Sequence, residues 1–164
     1  MPKGNLFRQI ASLALWILVS FVAAALGGLA SANAGGFYLE LARPAWAPPS
    51  WLFGPAWTVL YILMGTAAWL VWRKGGWRGQ NPALKLFLVQ LALNALWTWL
   101  FFVWRLGAVA LGEIVVLWFL ILRTILVFRK VSPAAAWLLV PYLLWVGFAT
   151  ALTYALWRGN PLLL

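Results

Sequence analysis

The chain has no cysteine and no histidine, and only two acidic residues, Glu40 and Glu113, stand against twelve Lys and Arg. Each absence removes a class of chemistry. Without cysteine there is no disulfide framework, thiolate metal site or thiol nucleophile. Without histidine the commonest general base and the usual imidazole ligand for zinc, copper or haem iron are missing. The two carboxyls cannot form a catalytic pair across a membrane, so ordinary hydrolase or metalloenzyme chemistry is not expected and no metal site is assigned. Charge of any sign is scarce, at 9% of residues, while hydrophobic side chains make up 66%. A chain this apolar cannot keep a wet surface as a soluble globule, so lipid is its solvent.

A bilayer core of about 30 Å needs about 20 helical residues. Five stretches of that length are present, at 10–32, 51–72, 84–104, 108–128 and 134–157. They are too long, and too rich in Leu and Trp, for alternating barrel strands. The expected fold is an all-α membrane protein, a five-transmembrane-helix bundle, with residues 1–164 forming one domain. The first stretch has the basic start of a signal peptide (Lys3, Arg8). Its length and the spacing of Ala23, Gly27, Ser31 and Gly35 fit a retained, packed helix better.

A net charge of +10 on a soluble protein would suggest nucleic acid, but here the charge lies between helices and no nucleic-acid partner is expected. With five spans, Lys3, Arg8, Arg73, Lys74, Arg78, Lys85, Arg129 and Lys130 share one side. Arg43, Arg105, Arg158 and Glu40 share the other. Where the positive-inside rule holds, the N-terminus is cytoplasmic. The connection from Asn33 to Ser50 carries Gly35, Gly36, Pro44, Pro48 and Pro49 and is expected to be a stiff, non-helical lid. The Gly-rich basic loop from Arg73 to Pro82 suits an interfacial turn near anionic head groups.

Among the 14 Trp, Trp16, Trp72, Trp104, Trp118, Trp137 and Trp157 read as interfacial anchors or lipid-facing bulk. Others align on helix faces. Trp57, Tyr61, Gly65 and Ala68 place two large rings above a small-residue groove. Gln90, Asn94, Trp97 and Phe101 put two amides beside two rings. Tyr142, Trp145, Ala149 and Thr153 repeat the pattern, with Pro141 freeing a carbonyl. Helix packing glued by amides is one reading of these faces. An aromatic pocket for a planar hydrophobic ligand is the other, and three faces of one kind favour it. Glu113 and Arg123 lie within the fourth stretch, where the first can meet water or Arg105 and the second can snorkel. Leu152, Tyr154 and Arg158 fit the weak sterol-contact pattern, with interface anchoring as its plain alternative.

Four groups of residues in order carry a resemblance: Phe37, Tyr38, Leu41, Arg43, Pro44, Trp46, Pro48 and Pro49; Trp57 to Tyr61; Gln90, Asn94 and Trp97; Pro141, Tyr142, Trp145, Phe148, Ala149 and Thr150. Across nearly its whole length the chain resembles the translocator protein or tryptophan-rich sensory protein family, TspO/MBR. The resemblance implies a five-helix bundle, usually a homodimer, with a porphyrin pocket beneath the first loop and, in animal members, cholesterol on an outer surface. It also implies that Tyr38, Trp57, Asn94, Trp97, Phe101, Trp145 and Ala149 line the pocket and that Tyr154 and Arg158 belong to the sterol motif. Thr153 stands where many members have Asn, and the third segment lacks the small-residue face of some bacterial dimers.

The resulting expectation is a receptor or sensor that binds porphyrin or haem as a ligand, with no obligatory cofactor and with membrane lipid as its other partner. Ligand-binding residues are Tyr38, Trp57, Tyr61, Gln90, Asn94, Trp97, Phe101, Trp145 and Ala149. Lacking His, the pocket suits a metal-free porphyrin held by stacking. One alternative is a light-dependent porphyrin-degrading enzyme using Trp57 and Trp145, which the resemblance implies in some bacterial members. Another is a small carrier or channel, although no matched pair of broken helices is visible.

Overall fold

A computed structural model describes residues 6–32 and 34–164. Lys3, counted among the basic-side charges, and Asn33, the start of the first connection, lie outside the described residues. The described residues form six α-helices: α1 (Leu6–Ala30), α2 (Ala34–Glu40), α3 (Phe53–Trp72), α4 (Gly76–Thr98), α5 (Gly107–Val131) and α6 (Pro133–Gly159). All but α2 are long and apolar enough to cross a membrane once their flanking turns are included. There is no strand among the described residues. The five-helix bundle expected from hydropathy is therefore the observed architecture.

The boundaries differ from the expected ones where proline and glycine misled the reading. The first connection is not wholly non-helical, because Ala34–Glu40 forms a short helix despite Gly35 and Gly36. Its proline-bearing part, through Pro49, is irregular up to a 3-10 turn at Ser50–Leu52. Likewise, most of the Arg73–Pro82 segment is helical. The chain turns within Arg73–Gly75, and α4 begins at Gly76 with a φ of +63° that glycine adopts freely. Pro82 sits close to the start of α4, two residues after a kink at Gln80, where its missing N–H costs little.

Ser132 separates α5 from α6 in a single extended residue, and its Oγ accepts a hydrogen bond from Ala135 N at 3.4 Å, capping the new helix above Pro133. At the far end of α4 the chain relaxes into a π-turn, Trp99–Val103, closed by Trp104 N donating to Trp99 O at 2.9 Å. Arg105 follows with a φ of 53° and lays its guanidinium 4.5 Å from the Phe37 ring of α2.

The bundle has two apolar centres. The larger contains Met64, Ala67, Val71, Leu84, Phe87 and Phe128, all fully buried. Trp16 belongs to it, edge-on to Phe87 at 6.1 Å. It is thus a core residue rather than the interfacial anchor its position suggested. The smaller centre joins α2 to the π-turn and α6 through Phe37, Tyr38, Leu41, Phe101 and Leu156.

Candidate functional site: an aromatic cavity under the α2 lid

A cavity of about 380 Å³ opens between α1, α3, α4, the π-turn and α6, with α2 lying across one end. That volume is within the range of small-molecule pockets. Eight of the nine residues expected to bind ligand line it: Tyr38, Trp57, Tyr61, Asn94, Trp97, Phe101, Trp145 and Ala149. Helical spacing explains why. Trp57 and Tyr61 lie one turn apart on α3 with ring centroids 5.5 Å apart, and Trp97 and Phe101 are stacked at 5.3 Å and 15° on α4 and its π-turn. From α6, Trp145 meets Trp57 at 6.4 Å with rings nearly perpendicular. These contacts leave a slot walled by ring faces and edges.

The π-turn adds a feature the helical register did not foresee. By inserting an extra residue it turns both Phe101 and Phe102 toward the cavity, their rings 5.0 Å apart. Phe53, in contact with both Tyr38 and Trp145, closes the wall below the lid. The wall from α1, including Phe21, Ala24 and Gly27, was also missed as ligand-facing. Its signal was the small-residue spacing, which marked packing: a Cβ on Gly27 would lie 2.9 Å from Thr98 Oγ1 of α4.

Gln90 is the exception among the nine. It is buried one turn below Asn94, away from the cavity, and accepts a hydrogen bond from Tyr142 Oη at 3.0 Å. The two amides share a helix face, but only Asn94 reaches the cavity. There its Oδ1 accepts from Tyr61 Oη at 2.6 Å. Most cavity polar groups are thus already satisfied within the protein: Thr153 Oγ1 donates to Ala149 O at 2.8 Å and Ser31 Oγ to Gly27 O at 2.9 Å. Trp97 Nε1 differs, being buried with no hydrogen-bond partner among the described residues.

The lid is held by named contacts. Tyr38 Oη donates to Pro48 O at 2.9 Å, and Arg43 lies 5.1 Å from the Tyr38 ring. Burial pushes the Tyr38 phenol above its ordinary range while Arg43 draws it back, so at neutral pH it stays protonated and able to donate. Asn160, beyond α6, works as a clasp: its Oδ1 accepts from Ala42 N at 2.8 Å, and its Nδ2 donates to Ala42 O at 3.1 Å and to Leu156 O at 2.8 Å. No sequence pattern singled out Asn160, since its partner lies 118 residues away.

The sterol trio is not one surface. Leu152 is buried and lines the cavity, whereas Tyr154 and Arg158 are exposed. Two residues along a helix turn the side chain about 200°, to the opposite face. Glu113 and Arg123 do not meet either. Arg123 is exposed, and both carboxyl oxygens of Glu113 are buried without a hydrogen-bond partner among the described residues, while Arg105 is engaged by Phe37.

The model of the TspO/MBR family matches residues 15–158, from within α1 through the lid to the end of α6. This chain belongs to the TspO/MBR family. It is 40% identical over 156 residues to the tryptophan-rich protein TspO of Chlorobaculum tepidum, covering 94% of this chain and 99% of that one. It is 38% identical over 149 residues to protein CrtK of Rhodobacter capsulatus, 87% of this chain and 91% of that one. The human translocator protein is 40% identical over 126 residues, 76% of this chain and 75% of that one. TspO/MBR membership and five spanning helices make it an integral, multi-pass membrane protein of a sensor and translocator family.

Proposed function

We propose that this TspO/MBR protein is a membrane receptor for planar tetrapyrroles, held in the aromatic cavity beneath α2. The observation that carries the reading is the slot itself: Trp57, Trp97, Phe101 and Trp145 present ring surfaces around one cavity. A flat macrocycle gains stacking on the rings, and Asn94, the polar side chain at the wall, is held in place by Tyr61. A metal-free porphyrin suits the slot because no imidazole exists to ligate iron. Sterol contact belongs to the outer face carrying Tyr154 and Arg158, separate from this slot. The basic ends of the helices face the cytoplasm, which sets the lid on the opposite side. The bundle acts as a homodimer, and transport of tetrapyrrole between membrane and water is a secondary role.

The test is tryptophan quenching of the purified protein titrated with protoporphyrin, beside a Trp145→Ala/Asn94→Ala variant. Saturable quenching that weakens about tenfold or more in the variant supports the pocket. Equal, non-saturating quenching in both means partition into detergent and ends the reading.

A second reading, light-driven porphyrin degradation, is favoured by one observation: Trp57 sits within 6.4 Å of Trp145, 5.5 Å of Tyr61 and 6.2 Å of Tyr142. Of these oxidisable rings Trp57, Tyr61 and Trp145 line the cavity, and Tyr142 is buried behind them. Trp57→Phe and Trp145→Phe keep the stacking surface, so unchanged photobleaching of bound protoporphyrin in both would remove the enzymatic reading.

A further inference from the structure

The cavity has a side as well as a lid, and the side is built from the seam between α1 and α3. These helices run antiparallel in a fixed register. Ile17 faces Gly65, where an added Cβ would lie only 2.6 Å from Ile17 Cα, backbone against backbone. One turn along, Phe21 and Tyr61 bridge the seam with ring centroids 6.0 Å apart. Carried on at the same spacing, that register would pair Ala24 with Thr58 and Gly28 with Gly54. All four line the cavity, and Gly28, Gly54 and Thr58 are exposed. A Cβ on Gly28 or Gly54 would meet nothing within 4 Å. The seam that is closed at Gly65 is open at Gly54.

Its chemistry suits lipid. The rim has no charged side chain, and Thr58 Oγ1 donates to Gly54 O at 2.9 Å, so its hydroxyl is satisfied on its own helix. From Gly54 to the ring of Tyr61 the gap runs down α3 for about 10 Å, from the head-group boundary into hydrocarbon. The lid route is different, because opening it breaks the Asn160 clasp on Ala42, the Tyr38 bond to Pro48 and the Arg105 contact with Phe37.

We propose that the gap between the second half of α1 and the first half of α3 is a lateral doorway, through which a flat apolar ligand passes directly between the acyl chains and the cavity. The inference rests on the tetrapyrrole-pocket reading for the identity of the guest. The chain's lack of cysteine makes it directly testable. A Gly28→Cys/Gly54→Cys protein in nanodiscs is bridged by a cleavable bis-thiosulfonate, and protoporphyrin association is followed by stopped-flow tryptophan quenching. As the control, an Ala42→Cys/Gly159→Cys disulfide staples the lid where a Cβ on Gly159 would lie 3.3 Å from Ala42 O.

The bridge across the doorway is expected to slow association by about tenfold or more, with recovery on reduction, while the lid staple changes it by less than about twofold. An unchanged rate with the doorway bridged, or a slowed rate with only the lid stapled, overturns the doorway and leaves the pocket standing. Absence of saturable binding in the wild type overturns the pocket instead. The doorway is then judged without ligand, by a nitroxide on Thr58→Cys in the bilayer. Relaxation by oxygen and not by a water-soluble nickel chelate supports a lipid-facing mouth; relaxation by nickel overturns it.

Discussion

Around Ile17 and Gly65 the backbones of α1 and α3 touch, whereas at Gly28, eleven residues later on α1, and Gly54, eleven residues earlier on α3, an added Cβ would meet nothing within 4 Å. The same two helices are therefore a solid joint at one level and one wall of a cavity at the other. Residue size along the seam decides which: Gly65 lets the backbones meet, and the aromatic residues Trp57 and Tyr61 then hold the helices apart around a space no side chain fills. Rigidity at one end allows the other end to stay hollow, since a fixed joint keeps the walls from collapsing onto each other.

The sharpest way to break that contrast is to enlarge both kinds of glycine. Gly65→Leu forces its side chain into Ile17 and Trp16 backbone, and we expect a loss of about 3 kcal/mol or more, read as a fall in the thermal midpoint in detergent. Gly28→Leu, on the open stretch of the same seam, is expected to stay within about 0.5 kcal/mol of wild type. Equal losses would show that the two levels of the seam are packed alike.

The two amides of α4 set the same contrast within one helix face. Asn94 belongs to the hollow half and Gln90 to the solid half. Asn94→Leu removes the acceptor of Tyr61 at the cavity wall and is expected to weaken protoporphyrin binding about tenfold. Gln90→Leu leaves the buried Tyr142 hydroxyl without its acceptor but also removes the unpaired Gln90 Nε2, so stability is expected to change by less than about 1 kcal/mol with affinity unchanged. Titration and thermal unfolding of both variants separate the two roles.

Hydropathy gave the spans to within about four residues, except that α4 starts at Gly76 and not at 84, because a bilayer imposes length and apolarity on every helix while the polar first turns of α4 carry no such signal. Periodicity placed Trp57, Tyr61, Asn94, Trp97, Phe101, Trp145 and Ala149 on cavity-facing stripes for an equally local reason. What stayed hidden was set by partners distant in sequence or by breaks in the helical period. Helical spacing put Gln90 on the face of Asn94 but held no information on depth. The π-turn that brings Phe102 beside Phe101 changes the period itself. Trp16 looked like an anchor until α4 supplied Phe87. Asn160 means nothing until Ala42 arrives to be clasped.

That clasp predicts a smaller effect, confined to the lid. Asn160→Ala removes the pair of hydrogen bonds to Ala42 and the one to Leu156, and is expected to cost about 1–2 kcal/mol. Hydrogen exchange should rise at the amides of Phe37–Ala42 while those of Met64–Val71 in the solid half keep their protection. Equal acceleration in both regions would mean that the lid and the core open as one unit.

The smallest expected effect lies on α6, where adjacent turns face opposite ways. Leu152 is 5% exposed and Tyr154 is 53% exposed, although both belong to the sterol-like pattern. Leu152→Ala enlarges the cavity wall and is expected to cost about 2 kcal/mol, with a change in protoporphyrin affinity. Tyr154→Phe removes only an outward hydroxyl and should alter neither stability, to within about 0.5 kcal/mol, nor porphyrin affinity. A loss of sterol binding in Tyr154→Phe with porphyrin binding intact would make the outer face a second, independent site. A parallel loss of both would mean that the surface and the cavity are coupled through α6.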